Sequence, residues 1–298
     1  MQYVKRNFKA DWVQVVMIGV LSIYSIFCLI PFLMVLSGSL STEADISQHG
    51  YGLYPLHPNL DAYRILFLAA DRVINGYKIS IFVTVAGTFL ALVVNYMGGY
   101  AMARRTLKYR NTLSIYALLT LMFNGGLVPW YIVCVNYLHL KDSVWALILP
   151  ALAQGFNLFL IRNFLQSLPE ELFESAKIDG AGELRIMFKI IAPLATPVLA
   201  TVGLFIALNY WNDWYLGLMF IDNQSLQPLQ LMLRTIVSNV DFLKNSGNAA
   251  EMQRVAATLP TEGVKMAVTV VTIGPIIFLY PFVQRYFVKG LVVGAVKG

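Results

Sequence analysis

Between Asn209 and Tyr215 the sequence reads NYWNDWY and gathers side chains of the types suited to binding a sugar. Asn209, Asn212 and Asp213 offer hydrogen bonds, and Trp211, Trp214 and Tyr215 offer flat faces for stacking. The cluster ends a long apolar run, where a carboxylate costs about 2.5–3.5 kcal/mol on insertion scales, so such groups usually face a cavity. Two readings stand side by side. Either these side chains line a polar passage, or they form an aromatic belt at the outer interface. The second follows if Asp213, 20 residues beyond Pro193, lies about 30 Å along a straight helix.

Other chemistry finds no residues to carry it. No G-x-x-x-x-G-K-[ST] loop is present to cradle nucleotide phosphates. Cys28 and Cys134 fall inside apolar runs, and His49, His57 and His139 are scattered, so neither a disulfide framework nor a metal site has ligands at suitable spacing. No nucleophile, acid and base sit on neighbouring apolar segments in a pattern that predicts an enzyme. The expectation is a protein with no catalytic residue and no cofactor of its own.

The elements that must position the sugar-type cluster are membrane helices. Of 298 residues, 58% are hydrophobic and 13% charged, and the mean hydropathy is +0.64, far from soluble composition. About 20 apolar residues in a helix cross the hydrocarbon layer. Six windows of that length predict spans at about 12–38, 79–103, 113–138, 143–162, 192–220 and 264–285. Runs such as FLALVV and WALILP are apolar on every side, which excludes the alternation of a barrel strand. The fold class is therefore an all-α polytopic membrane protein, read as one transmembrane domain over 1–298. The first window follows Lys5, Arg6 and Lys9 as a signal peptide would, but it is too long and lacks a small-residue cleavage site, so it is read as a retained span.

With both termini inside, fourteen of the 22 lysines and arginines face the cytoplasm, and eight lie outside, six of them in the longer segments 43–78 and 222–263 and the others at Lys141 and Lys265. The net charge of +6 is thereby explained by topology and anionic inner-leaflet lipid, with no nucleic-acid partner. The dense run Arg104, Arg105, Lys108 and Arg110 is read as such a topology signal and not as a site. Pro31, Pro150, Pro197 and Pro275 interrupt spans, and Asn124-Gly125-Gly126 with Pro129 is expected to break the third.

The inner-face segment 166–190 differs from a plain connector. Ser167 and Glu170 form an S-x-x-E pattern suited to a helix start, and the first helix is expected to reach Ile178. Asp179-Gly180 is a turn signal, after which helical periodicity resumes through Ala181, Leu184 and Phe188. From periodicity alone, this is either a docking surface for a protein or an amphipathic connector on the headgroups.

The stretch ESAKIDGAGELRIMFKIIAP, Glu174 to Pro193, resembles the cytoplasmic loop of permease subunits of bacterial ABC importers. Glu174, Ala176, Asp179, Gly180, Ala181, Phe188, Ile190 and Pro193 match that pattern, whereas Ser175 and Ala192 depart from it by small or apolar exchanges. FNGGLVPWY, WNDW and the ending YPFVQRYFVKGLVVGAVKG also resemble maltose-type carbohydrate permeases. The nearest likeness is to the second permease of the complex-polysaccharide, lipoprotein-dependent subgroup.

The resemblance implies six spans of the maltose-permease type, a second homologous permease, an ATPase dimer that binds the ATP, and an extracellular solute-binding lipoprotein that delivers a carbohydrate, expected to be an oligosaccharide, for passage across a bacterial cytoplasmic membrane. It also implies that Glu174, Ala176, Asp179, Gly180, Ala181, Phe188 and Pro193 couple the spans to the ATPase. In that role Gly180 supplies the bend, Asp179 stabilises it, Glu174 offers a charged contact, and Phe188 with the small residues fills a groove. Asn209, Trp211, Asn212 and Asp213 are the candidates for the substrate path. A secondary active transporter is the rival reading, and it would be expected to carry more charge within the membrane.

Overall fold

A computed structural model of the chain describes residues 12–68, 70–245, 262–274 and 277, which divide into two compact units. In the unit formed by 12–68 with 237–245 and 262–273, α1 (Trp12–Ser39) is one unbroken apolar helix of 28 residues that passes through Pro31. The span window within it buries none of its surface inside the chain. Two short helices follow, α2 (Glu43–His49), capped by the Thr42 hydroxyl on the Asp45 amide, and α3 (Asp61–Leu68). Residues 262–274 are helical, and the Glu43 carboxylate accepts the amides of Glu262 and Gly263 at the start of that stretch.

The larger unit is built around α4 (Ala70–Ala103), which begins nine residues before the expected span and so shortens the loop predicted over 43–78. Next come α5 (Arg110–Met122), then α6 (Leu127–Ile132), which runs on as a π turn through Tyr137. The two meet at 116°, where Phe123 is extended and Gly126 takes a φ of 86°. The predicted third span is thus broken at Asn124–Gly126, as its sequence indicated. Short 3-10 turns over Val144–Ala151 lead at 49° into α7 (Gly155–Gln166).

Beyond α7 lie α8 (Glu171–Ile178), then α9 (Glu183–Arg185), a π segment to Ile191 and α10 (Ala192–Leu194). The chain turns by 84° at Ala195 into α11 (Thr196–Asn212), breaks at Asp213, and continues as α12 (Tyr215–Phe220) and α13 (Leu229–Asn245). The straight helix assumed from Pro193 to Asp213 is therefore incorrect. Pro193 and Pro197 flank the bend, each removing a backbone donor that an uninterrupted helix would need. Pro197 is tolerated because it lies in the first turn of α11.

Two helices are long and apolar enough to cross a membrane, and three bent pairs pass the same test together, which accounts for up to five crossings among the described residues. The sixth predicted span, 264–285, begins within the described helix 262–274, and its remainder apart from residue 277 lies outside those residues, as does the carboxy-terminal motif from Tyr280.

The core joins α4, α7 and α11. Ile148, Ile161, Ile186, Ile191, Val202 and Ala195 are fully buried. Gly98 and Gly99 let α7 approach so closely that an added methyl would sit within 2.8 Å of Leu158 or Ile161. The break between the 3-10 turns and α7 exposes backbone groups that lipid cannot satisfy. Asn95 of α4, 0% exposed, answers them: its Nδ2 donates to the Leu152 carbonyl at 2.7 Å and its Oδ1 accepts the Gln154 amide at 3.2 Å.

Replacing this side chain by an apolar one of similar size strands both backbone groups, at about 1–3 kcal/mol each. The Asn95→Leu protein in detergent is expected to melt several degrees below the parent, and an unchanged midpoint would contradict this account of the break.

Candidate functional site

The inner-face segment is fastened to the end of α4 by one buried cation. Arg104 follows the last residue of α4, its amide still bonded to the Tyr100 carbonyl, and it is only 5% exposed. Its Nη2 donates to the Glu183 Oε1 at 3.0 Å, its Nη1 to the Glu170 Oε1 at 3.5 Å, and its guanidinium lies 4.4 Å from the centre of the Phe173 ring. A buried charge survives only when answered in this way. Glu183 also accepts the Tyr100 hydroxyl at 2.8 Å and pairs with Lys177 at 3.2 Å. One turn earlier on α4, the Tyr96 hydroxyl donates to the Met187 carbonyl at 2.6 Å, and its ring meets Phe188 edge-on.

Within the segment, the expected first helix ends at Ile178. The stop is a backbone motif: the Ala181 amide donates to the Ala176 carbonyl and the Gly180 amide to the Lys177 carbonyl, both at 3.0 Å, with Gly180 at a φ of 76°. This Schellman closure needs a residue at ease in the left-handed region. Asp179 makes no side-chain hydrogen bond among the described residues, so the turn is held by backbone and not by that carboxylate. Ser167 likewise differs from expectation. Its hydroxyl donates back to the Phe164 carbonyl at the end of α7, and α8 starts four residues later without a side-chain cap.

The candidate coupling residues divide by face. Ala176 is buried beside Phe173 against the chain's own core, and Ala181 is half-buried. Glu174, Asp179, Gly180 and Pro193 are exposed, and Phe188 is divided between Tyr96 and solvent. Between them rises an apolar lip that the motif does not contain: Ile178 is 86% exposed and Leu184 69%. Arg104, Tyr96, Tyr100 and Glu183 were missed in the sequence, where Arg104 passed as a topology charge. The signal available was a carboxylate at Glu183 within a segment otherwise apolar on its inner side.

On the other end of α11 the sugar-type cluster separates. Trp211 is buried against Tyr77, and the Asn212 Nδ2 turns back to the Leu208 carbonyl of its own helix. Asn209 is exposed. Asp213, whose Oδ1 accepts the Leu216 amide at 2.9 Å, borders a cavity of about 730 Å³ with Asn124, Trp130, Pro150 and Tyr215. The turn at Asn124–Gly126 therefore contributes to a largely apolar hollow, with aromatic rings at Trp130 and Tyr215 and polar groups at Asn124 and Asp213, that the sequence cluster alone did not indicate. Beside it, Lys141 pairs with Asp222 at 2.9 Å and Asp142 accepts the amides of Asp222 and Asn223, which hold its carboxyl below the usual range.

Residues 2–293 match the family described as binding-protein-dependent transport system inner membrane component, and the chain belongs to that family. Among its relatives, Protein LplC of Bacillus subtilis (strain 168) is 40% identical over 270 residues, covering 91% of this chain and 90% of that one. The polygalacturonan/rhamnogalacturonan transport system permease protein YtcP of the same organism is 38% identical over 282 residues, 94% and 96% of the two chains. A solved structure of a bacterial ABC transporter involved in the import of the acidic polysaccharide alginate contains a similar chain. It aligns with a TM-score of 0.78 at 27% identity, covering 96% of this chain and all of that one.

Burial alone would push the Glu183 carboxyl up, but the hydrogen bonds from Arg104, Tyr100 and Lys177 outweigh it and hold the group below the ordinary glutamate value. With the folded value depressed, its contribution is complete above about pH 4.3 and is lost as pH falls through the folded value. Amide protection over 171–194, taken relative to the intrinsic exchange rate at each pH, is expected to be high at neutral pH, lower under that acid condition, and low at neutral pH in Arg104→Gln, with α7 unchanged. Equal exchange in the variant and the parent at neutral pH would show that the clamp does not hold the segment.

Proposed function

We propose that the chain is one permease subunit of an ATP-driven importer, carrying a carbohydrate of oligosaccharide size inward across the cytoplasmic membrane. The observation that carries this reading is the pairing of a firmly seated base with an unsatisfied apolar lip in one short segment. Arg104 and Tyr96 fasten the inner side of 171–191 to α4, while Ile178, Leu184 and part of Phe188 stand in solvent around the Gly180 turn. Apolar groups so exposed on a helical hairpin call for a protein surface, and a separate ATPase supplies one. Family membership and the names of the relatives support the same reading.

In this mechanism nucleotide closes the ATPase pair, and the groove that receives Ile178 and Leu184 moves with it. Because the segment is bonded to the end of α4 and runs directly into the bend before α11, its displacement tilts both helices as rigid levers. Glu174 and Asp179, exposed beside the lip, are placed to meet cationic groups of the ATPase. ATP is held by that partner and no cofactor by this chain.

The hollow at Asn124, Trp130, Asp213 and Tyr215 is the substrate path on this reading, with rings for stacking and amide and carboxylate groups for hydroxyls. A second homologous permease completes the pathway opposite it, and a solute-binding lipoprotein delivers sugar at the outer ends. Both termini are cytoplasmic, as the distribution of lysine and arginine indicates.

A valine at position 180 forces a branched residue into the left-handed region at about 1–2 kcal/mol or more and redirects the lip. Gly180→Val is expected to insert and assemble normally yet lose sugar uptake while the ATPase still hydrolyses ATP. Normal uptake in this variant, or uptake abolished by an ionophore and indifferent to ATP, would overturn the reading.

A further inference from the structure

Beside the clamp, at the ends of α4 and α7 and the starts of α5 and α8, lies a separate hollow of about 510 Å³. Three guanidinium groups line it, Arg104, Arg105 and Arg110, against a single carboxylate, Glu170. That carboxylate does not saturate them. It stands 3.5 Å from Arg104 and 3.7 Å from Arg105, longer than the 2.7–2.9 Å of tight charge-assisted bonds. Arg110 is half-buried and has no ion pair among the described residues. Arg104, 95% buried, keeps an Nε without a hydrogen-bond partner. Arg110 also opens α5, a helix of 13 residues whose N-terminus has no side-chain cap, so the positive end of its dipole adds to the same field.

We infer that this hollow binds a phosphate group. Fork-shaped guanidinium donors suit phosphate oxygens, and with Arg104 answered chiefly by Glu183 at 3.0 Å, Arg105 and Arg110 still outnumber the one carboxylate that lines the recess. Two sources share that chemistry. One is the headgroup of an anionic phospholipid, since α5 rises from the hollow with Ile115, Tyr116, Leu119 and Met122 exposed along its length. The other is a soluble phosphate. Placing the hollow at the inner leaflet rests on the orientation proposed above, but the binding itself does not. A bound phosphate would compete with Glu170 for Arg104 and Arg105, and so touches the clamp directly.

The test uses the full-length chain purified with its associated subunits and reconstituted in vesicles of phosphatidylcholine and phosphatidylglycerol. Native mass spectrometry then reads the retained lipid, and a parallel sample is titrated with labelled inorganic phosphate. The parent is expected to retain phosphatidylglycerol in preference to phosphatidylcholine, with retention about tenfold lower in Arg110→Gln and unchanged in Lys108→Gln, which lies outside the hollow. Arg105→Gln serves in place of Arg110→Gln should the latter not assemble. Phosphate binding without lipid retention, abolished by the same substitutions, assigns the site to a soluble phosphate. No preference for either ligand, or retention equal in the parent and the arginine variants, overturns the inference. Sugar uptake is not part of the readout, so a failure of the coupling mechanism leaves this result distinguishable.

Discussion

A guanidinium withdrawn from water at the end of a membrane helix must find its countercharges within the fold, and Arg104 finds them in a segment some 70 residues further along the chain. That requirement ties α8, α9 and the π segment to α4 in one arrangement. The Tyr100 hydroxyl, the Tyr96 hydroxyl and the Phe173 ring repeat the attachment along a single face of α4, so the segment is seated at several points and not on one flexible pair. On the proposed reading the segment is a lever gripped from outside, and such a lever transmits motion only if its seat is stiffer than its grip.

The same economy of polar groups governs the interior. Breaks in membrane helices cost backbone hydrogen bonds, and each break has its own means of repair. Asn95 satisfies the gap before α7, Asn124 accepts the Gly126 amide at the turn after α5, and Asp213 accepts the Leu216 amide at the start of α12. Two of these three repairs also border the larger cavity. Irregular backbone at membrane depth is tolerated only where protein or a water-filled hollow receives it, and here it is gathered around the hollow proposed as the substrate path.

Much of this was legible in residue order. The apolar windows marked α1 and α4 because a long charge-free run has few other uses, and Asp179-Gly180 marked the end of α8 because only certain residues accept that φ. What failed depended on partners distant in sequence. Arg104 looks like any inner-face arginine until Glu183 is placed beside it, and Ser167 looks like a helix start until its hydroxyl is seen to turn back on α7. The straight run from Pro193 to Asp213 was wrong because two prolines around Ala195 permit a bend whose angle no local rule sets. Trp211 was a candidate for the passage by its type, and its burial against Tyr77, a partner 134 positions away, was not visible in residue order.

The central claim is that the inner-face segment and α4 move as one body when the transporter cycles. Spin labels at Glu171 on α8, outside the docking lip, and Val94 on α4, in the assembled transporter, test it by pulsed dipolar distance measurement. A narrow distance distribution is expected, the same without nucleotide and with ATP trapped, while the distance from Glu171 to the partner permease changes. A distribution between these two positions that shifts or broadens with nucleotide would contradict it.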